Sequence, residues 1–214
     1  MDPNIIDELN SDHILGTARL RALLDNGILP AEDIDAILAL KSVLIIADFL
    51  TQYQHFSKEN IHTVHKFILD NLNHKNKLFV SDLIEFAEYW ELELPYQQCI
   101  KLLNKFKADN TYVQLAMIDY LYTNLKLKHI DAITKALNEV LENPECNQSV
   151  QVKSAFFLFR ITHKKKYLTA LVDLVVNGDG NKTLLKNILL SNFNGSDYFE
   201  YYDLLHVLVS NEND

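Results

Sequence analysis

A helical repeat constrains this chain more than any other feature. Ile84-Glu85-Phe86-Ala87, Val113-Gln114-Leu115-Ala116 and Val152-Lys153-Ser154-Ala155 share one pattern. A branched apolar residue is followed by a long polar one, any residue, then alanine. The pattern returns after 29 residues and again after 39, and a weaker copy, Leu185-Lys186-Asn187-Ile188, follows 33 later. Periods of this size belong to stacked helix pairs, in which no unit can bury its apolar face alone. Only 5 Gly and 4 Pro occur in 214 residues, which suits long helices joined by short polar turns. Leu44-Ile45-Ile46 and Leu174-Val175-Val176 have strand composition, but each sits inside a longer helical stripe. The expected class is all-α, with about ten or eleven helices in antiparallel pairs. Ala87, Ala116 and Ala155 are expected at tight, buried helix contacts.

Start and stop signals place the helices. Ser11-Asp12 opens one, with Ile14, Leu15, Ala18, Leu20, Leu23 and Leu24 along it, and Asn26-Gly27 closes it. Pro30 starts the next, with Glu32, Asp33 and Asp35 in a first turn whose dipole favours acids. Its apolar run from Ile34 to Leu50 reads as one central helix. Ser57 caps a helix over roughly 58–73, and Ser81 caps the following one, with Leu83, Phe86, Ala87, Trp90 and Leu94 buried. Pro95 ends that helix and begins another through Cys99, Leu102, Leu103 and Phe106. Later helices are expected over 130–141, 150–161, 167–176, 184–193 and 198–209.

The clearest unit, Ile130–Leu141, a turn, then Val150–Ile161, resembles a HEAT-type repeat, whose second helix opens with valine-arginine and then alanine. Val152-Lys153 and Ala155 fit best, and Val113-Gln114 and Ala116 next. The arginine position holds Glu85, Gln114 or Lys153. The resemblance covers roughly residues 58–192. It implies a right-handed α-α superhelix of the HEAT or armadillo kind, concave along its second helices and normally used to bind proteins. Small divergent members occur among bacterial immunity proteins, regulators and a few DNA-repair enzymes. One domain is expected over 1–214: N-terminal helices to 56, repeats over 57–192, and a capping helix over 193–214. A plain helical bundle is the alternative.

The net charge of −9 is unevenly spread. Residues 1–100 hold 16 acidic and 7 basic residues, whereas 101–214 hold 13 of each. An acidic field favours basic partners and opposes binding to phosphate backbones. Simple solubility is the competing explanation. Cys99 and Cys146 are the only cysteines, which suggests a reducing compartment. Met1-Asp2-Pro3-Asn4 lacks a basic region followed by an apolar run, so no signal peptide is expected. No stretch reaches the ~18–20 apolar residues of a membrane helix. A cytoplasmic protein is expected, and the sequons at Asn147, Asn181 and Asn194 are then without consequence.

Several motifs invite chemistry, and each has a plainer reading. His55, His62, His65 and His74 cluster, and Glu59-Asn60-Ile61-His62 has the Glu-x-x-His spacing of di-iron bundles. Such sites need a second copy, and Asp203-Leu204-Leu205-His206 only approximates one, so no metal is expected. Gly178-Asp179-Gly180-Asn181-Lys182-Thr183 has the flavour of a phosphate loop. It lacks glycine directly before lysine and follows a helix, so no nucleotide binding is expected. Lys164-Lys165-Lys166, with Arg160 and His163, is the one compact basic run and reads as a turn between helices. Tyr198-Phe199-Glu200-Tyr201-Tyr202 reads as a terminal cap or an interface anchor.

No nucleophile–base or paired-acid arrangement stands out, and no cofactor is expected. The expected function is non-enzymatic binding of a basic protein. Its most concrete form is an immunity protein that blocks a toxin such as a nuclease. An adaptor or regulatory subunit fits the same features. A helical-repeat nucleic-acid binder or DNA-repair-type enzyme is the rival, with a basic concave groove. The expected contact face holds Asp82, Glu85, Glu88 and Tyr89, set opposite Leu83, Phe86 and Trp90, with Tyr89 as apolar anchor.

Overall fold

Helix caps divide the chain into short segments. The computed structural model describes residues 1–25, 27–105 and 110–177. These form eleven α-helices and one 3-10 turn, with no strand among the described residues. The chain divides into two compact units, Met1–Pro95 and Tyr96–Asp214.

The first unit contains α1 (Pro3–Leu9), α2 (His13–Leu24), α3 (Ala31–Leu38), α4 (Val43–Gln52), α5 (Lys58–Asn71) and α6 (Lys77–Tyr89). The Asp12 carboxylate accepts from the Leu15 amide at 3.0 Å and the Ser57 hydroxyl from Asn60 at 3.1 Å. These are the caps that the sequence predicts. Helix α1 is not anticipated, although Asp2 caps it and Pro3 takes its first position. Gly27 adopts φ +98° after α2, as a left-handed cap requires.

The single helix expected from Ile34 to Leu50 is two. Helix α3 ends at Leu38, and Ser42 caps α4. Lys41 and Ser42, which interrupt the apolar run, are the link itself. Asn76, not Ser81, caps α6, accepting from the Phe79 amide at 3.2 Å. Ser81 is buried inside the helix and donates to the Leu78 carbonyl at 2.8 Å, the usual outlet for a mid-helix hydroxyl. Helix α6 also stops before Pro95. Glu91 takes a left-handed φ of 52°, Leu92 N–H bonds the Ala87 carbonyl at 2.8 Å, and Glu91 N–H bonds that of Glu88 at 3.1 Å. This closes the helix without glycine.

Within this unit α2 packs on α4, α4 on α6, and α3 on α5. Helices α2 and α4 run in the same direction: Lys41 N–H bonds Asn10 Oδ1 just before the two helices, and seven residues on along both, Thr17 Oγ1 donates to Asp48 at 2.9 Å. A Cβ on Gly16 would lie 2.9 Å from both the Leu9 carbonyl oxygen and Ile45 Cδ1. Ile45 can turn aside, but the backbone carbonyl moves only if α1 moves. Alanine is ~1 kcal/mol the better helix former, yet Gly16→Ala should lower stability by ~1–3 kcal/mol through this overlap. Urea unfolding of the two proteins tests it, and a more stable variant would contradict the close approach.

The second unit contains α7 (Tyr96–Leu103), α8 (Thr111–Thr123), α9 (Ile130–Glu142), α10 (Gln148–Thr162) and α11 (Lys165–Asn177), with the 3-10 turn at Leu127–His129. Helices α8 and α10 are also parallel neighbours. Lys153 pairs with Asp119, and further along Tyr122 stacks on Phe157 with centroids 4.2 Å apart. The Gln148 amide at the start of α10 donates to the Leu174 carbonyl near the end of α11, so α11 runs back along α10.

Ala87, Ala116 and Ala155 are all buried. They occupy the eleventh, sixth and eighth positions of α6, α8 and α10, so the motif copies do not open their helices at a common position. Lys165 and Lys166 lie in the first turn of α11, which splits the basic run between turn and helix. Phe106, the motif copy at 185–188, the 178–183 loop, Tyr198–Tyr202 and Asp203–His206 fall outside the described residues.

Candidate functional site

The stripe predicted on α6 borders a groove in the first unit. Asp82, Glu85 and Tyr89 are spaced three and four residues apart, so the helix sets them on one side. Helix α4 lies alongside in the same direction. Asp48 and Asp82 are the sixth residues of the two helices, Asp82 lies within reach of the Asp48 charge, and Tyr89 Oη donates to Gln54 Oε1 at 3.4 Å. Between them is a groove of about 250 Å³. Leu50 and Thr51 of α4 and Gln54 just beyond its end line one side, and Asp82, Glu85, Phe86, Tyr89 and Trp90 the α6 side.

The groove rests on an aromatic stack. Trp90 lies against Phe86 with centroids 5.9 Å apart, and Phe56 meets both rings edge-on at 5.6 and 5.5 Å. Phe56 in turn meets Tyr53 at 4.8 Å, and Tyr53 stacks on Phe49 at 5.3 Å. The Tyr53 hydroxyl accepts from the buried Leu29 amide at 3.0 Å, fixing the far end of the stack. Tyr89 stands at the rim, 70% exposed.

Of the four residues expected to share a face, Glu85 and Tyr89 are exposed while Asp82 and Glu88 are half-buried. Asp82, Glu85 and Tyr89 line the groove, and Glu88 is not among its lining residues. Trp90 is also half-buried and lines the groove beside Tyr89, where the sequence placed it on the opposite, buried face. Burial pushes the Asp82 carboxyl above the ordinary aspartate range, and the Asp48 charge adds to this. As pH falls, Asp82 therefore takes up a proton earlier than an ordinary aspartate would. Sequence reasoning missed Asp48 and Gln54. The signal that finds them is the 34- to 35-residue offset between neighbouring parallel helices.

The other candidates are held by ordinary contacts. His65 Nε2 lies 2.9 Å from the Glu93 carbonyl, and His74 Nδ1 accepts from the Asn76 amide at 3.1 Å. Glu59 and His62 are both exposed. Among the described residues no group of three or more His, Cys, Asp or Glu is placed to hold a metal. Lys166 sits 4.6 Å from the Tyr167 ring centroid, a cation–π contact. Both cysteines are free and buried, and burial pushes both thiols above their ordinary range. No described helix is long and apolar enough to cross a membrane. Comparison of the chain with family models, curated proteins and solved structures found no match.

Proposed function

We propose that this chain is a non-enzymatic helical-repeat protein that binds a basic protein through the groove between α4 and α6. The observation that carries the reading is the convergence of Asp82, Glu85 and Tyr89 on one groove. They sit in a unit with the whole excess of acid: Met1–Pro95 holds 16 acidic and 7 basic residues. An acidic rim would steer a basic partner, raising association rates ~10–1000-fold at low salt. The exposed tyrosine on a rigid aromatic bed would be the apolar anchor.

The most concrete form is a cytoplasmic immunity protein whose acids stand where a nuclease toxin would place nucleic-acid phosphates. A HEAT-like superhelix is part of the proposal. It is supported by parallel stacking at offsets of 31 residues between α2 and α4, 34 to 35 between α4 and α6, and 34 to 35 between α8 and α10.

The test is affinity capture from native lysate, followed by measured binding of the captured protein at low and high salt. Glu85→Lys with Glu88→Lys should weaken binding about 10-fold or more at low salt, and less where the charges are screened beyond ~10 Å. Stability should change by under ~0.5 kcal/mol for the exposed Glu85 substitution, and circular dichroism verifies that the double variant, with half-buried Glu88, is folded. Equal recovery of the same partner by both proteins would remove this groove from the interface.

A further inference from the structure

One row of apolar side chains in the first unit has no use in the core. Ile14, Leu44 and Leu78 are each the second residue of their helix, in α2, α4 and α6, and are 81%, 47% and 54% exposed. Each lies one turn toward the N-terminus from Thr17, Asp48 and Asp82 respectively. Those three residues form a line across the helices: Thr17 Oγ1 donates to Asp48, and Asp48 acts on Asp82. The turns preceding α2 and α4 are joined as well, since Lys41 N–H donates to Asn10 Oδ1 at 2.9 Å. The three apolar side chains therefore belong to one end of a parallel three-helix layer, with carboxylates one turn behind two of them. Exposed apolar rows beside polar ones are a common mark of a docking surface.

Resting on the protein-binding reading above, we propose that the partner presents a basic amphipathic α-helix across this layer. Its apolar face lies on Ile14, Leu44 and Leu78, and its basic flank lies on Asp48 and Asp82. The dimensions agree. Packed helices lie ~8–10 Å apart, so the row spans ~16–20 Å. Residues i, i+7 and i+14 of an α-helix project from one face at steps of ~10 Å. Charge selects the occupant. A second copy of this chain would bring Asp48 and Asp82 against their like, in a unit already holding 16 acids to 7 bases. A helix with Lys or Arg beside its apolar stripe meets opposite charge one turn from Leu44 and from Leu78.

The test uses the full chain and two fluorescent synthetic peptides of about 17 residues, a length that spans the row. Both have the same Leu, Lys and Ala content. One carries Leu at i, i+7 and i+14 flanked by Lys, and the other has its leucines spread around the helix. By fluorescence anisotropy the patterned peptide should bind at least ~10-fold more tightly. Leu44→Ser with Leu78→Ser should remove most of that difference, as loss of central apolar contacts does. Both substitutions are at exposed positions, and circular dichroism verifies that the variant is folded. Equal binding of the two peptides would mean charge attraction alone and would overturn helix docking, leaving the groove-binding reading intact. No binding of either peptide, or retention of the difference in the double variant, would overturn it too. Self-association abolished by the same double variant would overturn it in favour of a second copy as the occupant. Loss of the lysate partner on charge reversal at Glu85 and Glu88 is read separately, so the two proposals fail in distinguishable ways.

Discussion

Replacing Phe49 with alanine should lower the unfolding free energy by ~3–5 kcal/mol, a large share of the stability of a domain this size. Its ring is fully buried, stacks on Tyr53, and meets Phe56 edge-on at 5.6 Å. Truncation loses the transfer energy of the ring and leaves a cavity between α4 and the segment after it, which Tyr53 cannot fill while its hydroxyl holds Leu29. The effect should reach the groove. Phe56 leans on Phe86 and Trp90, so slackening it loosens the groove floor. Trp90 is the single tryptophan, and its native emission should change while the emission of the unfolded state does not. Phe49→Leu keeps most of the volume and should cost less than half as much. Urea unfolding followed by Trp90 fluorescence gives both readings. A loss below ~1 kcal/mol for the alanine variant would mean that the stack does not carry the core of the first unit.

The all-α class was legible because scarce Gly and Pro leave most segments no alternative, and because caps such as Asp12 and Ser57 act locally. Local signals failed where two residues compete for one role. Ser81 has the chemistry of a cap, but Asn76 reaches the free amide first, and Ser81 then satisfies itself on the Leu78 carbonyl. The end of α6 was illegible for a related reason. A left-handed closing residue is normally glycine, and Glu91 gives no such sign. Of the apolar residues along α2, Leu20 is buried, whereas Ile14 and Leu15 in the first turn are exposed.

The candidate site divides in the same way. The stripe of Asp82, Glu85 and Tyr89 follows from helical spacing alone. Its opposing wall of Leu50, Thr51 and Gln54 depends on which helix packs beside α6, which is a tertiary fact. The motif spacings of 29 and 39 residues mark where small alanines fit between helices. The stacking of α4 on α6 and of α8 on α10 follows the 34- to 35-residue offsets of contacts such as Asp119–Lys153 and Gln54–Tyr89. At the second position of the alanine motif, long polar side chains reach neighbouring helices. Lys153 reaches the Leu115 carbonyl and Asp119 on α8, and Gln114 donates to the Leu103 carbonyl of α7 at 2.8 Å. A long polar residue there ties each of these helices to an earlier one without requiring arginine.

Above pH 9 the protein should lose stability through Cys99, and Cys99→Ala should lose less. Helix α7 holds this thiol 1% exposed, and burial pushes it up to about 12 from an ordinary value near 9. Below the ordinary value both folded and unfolded chains keep the proton, so Cys99 contributes no pH dependence. Between about 9 and 12 the unfolded chain releases it while the folded one retains it, and the unfolded state gains by ~1.4 kcal/mol per pH unit. By pH 11 the penalty approaches ~3 kcal/mol. Cys146, raised by burial in the same direction, is present in both proteins and cancels in the comparison. At pH 8 the alanine variant should be the less stable by ~1 kcal/mol, since it leaves a small cavity. The order should reverse as pH rises past 10, because only the wild type carries the Cys99 proton that its unfolded chain releases. Urea midpoints for both proteins at three pH values give the crossing. Parallel curves would mean that Cys99 ionises in the folded protein as readily as in the unfolded one, and that α7 does not seal it from water.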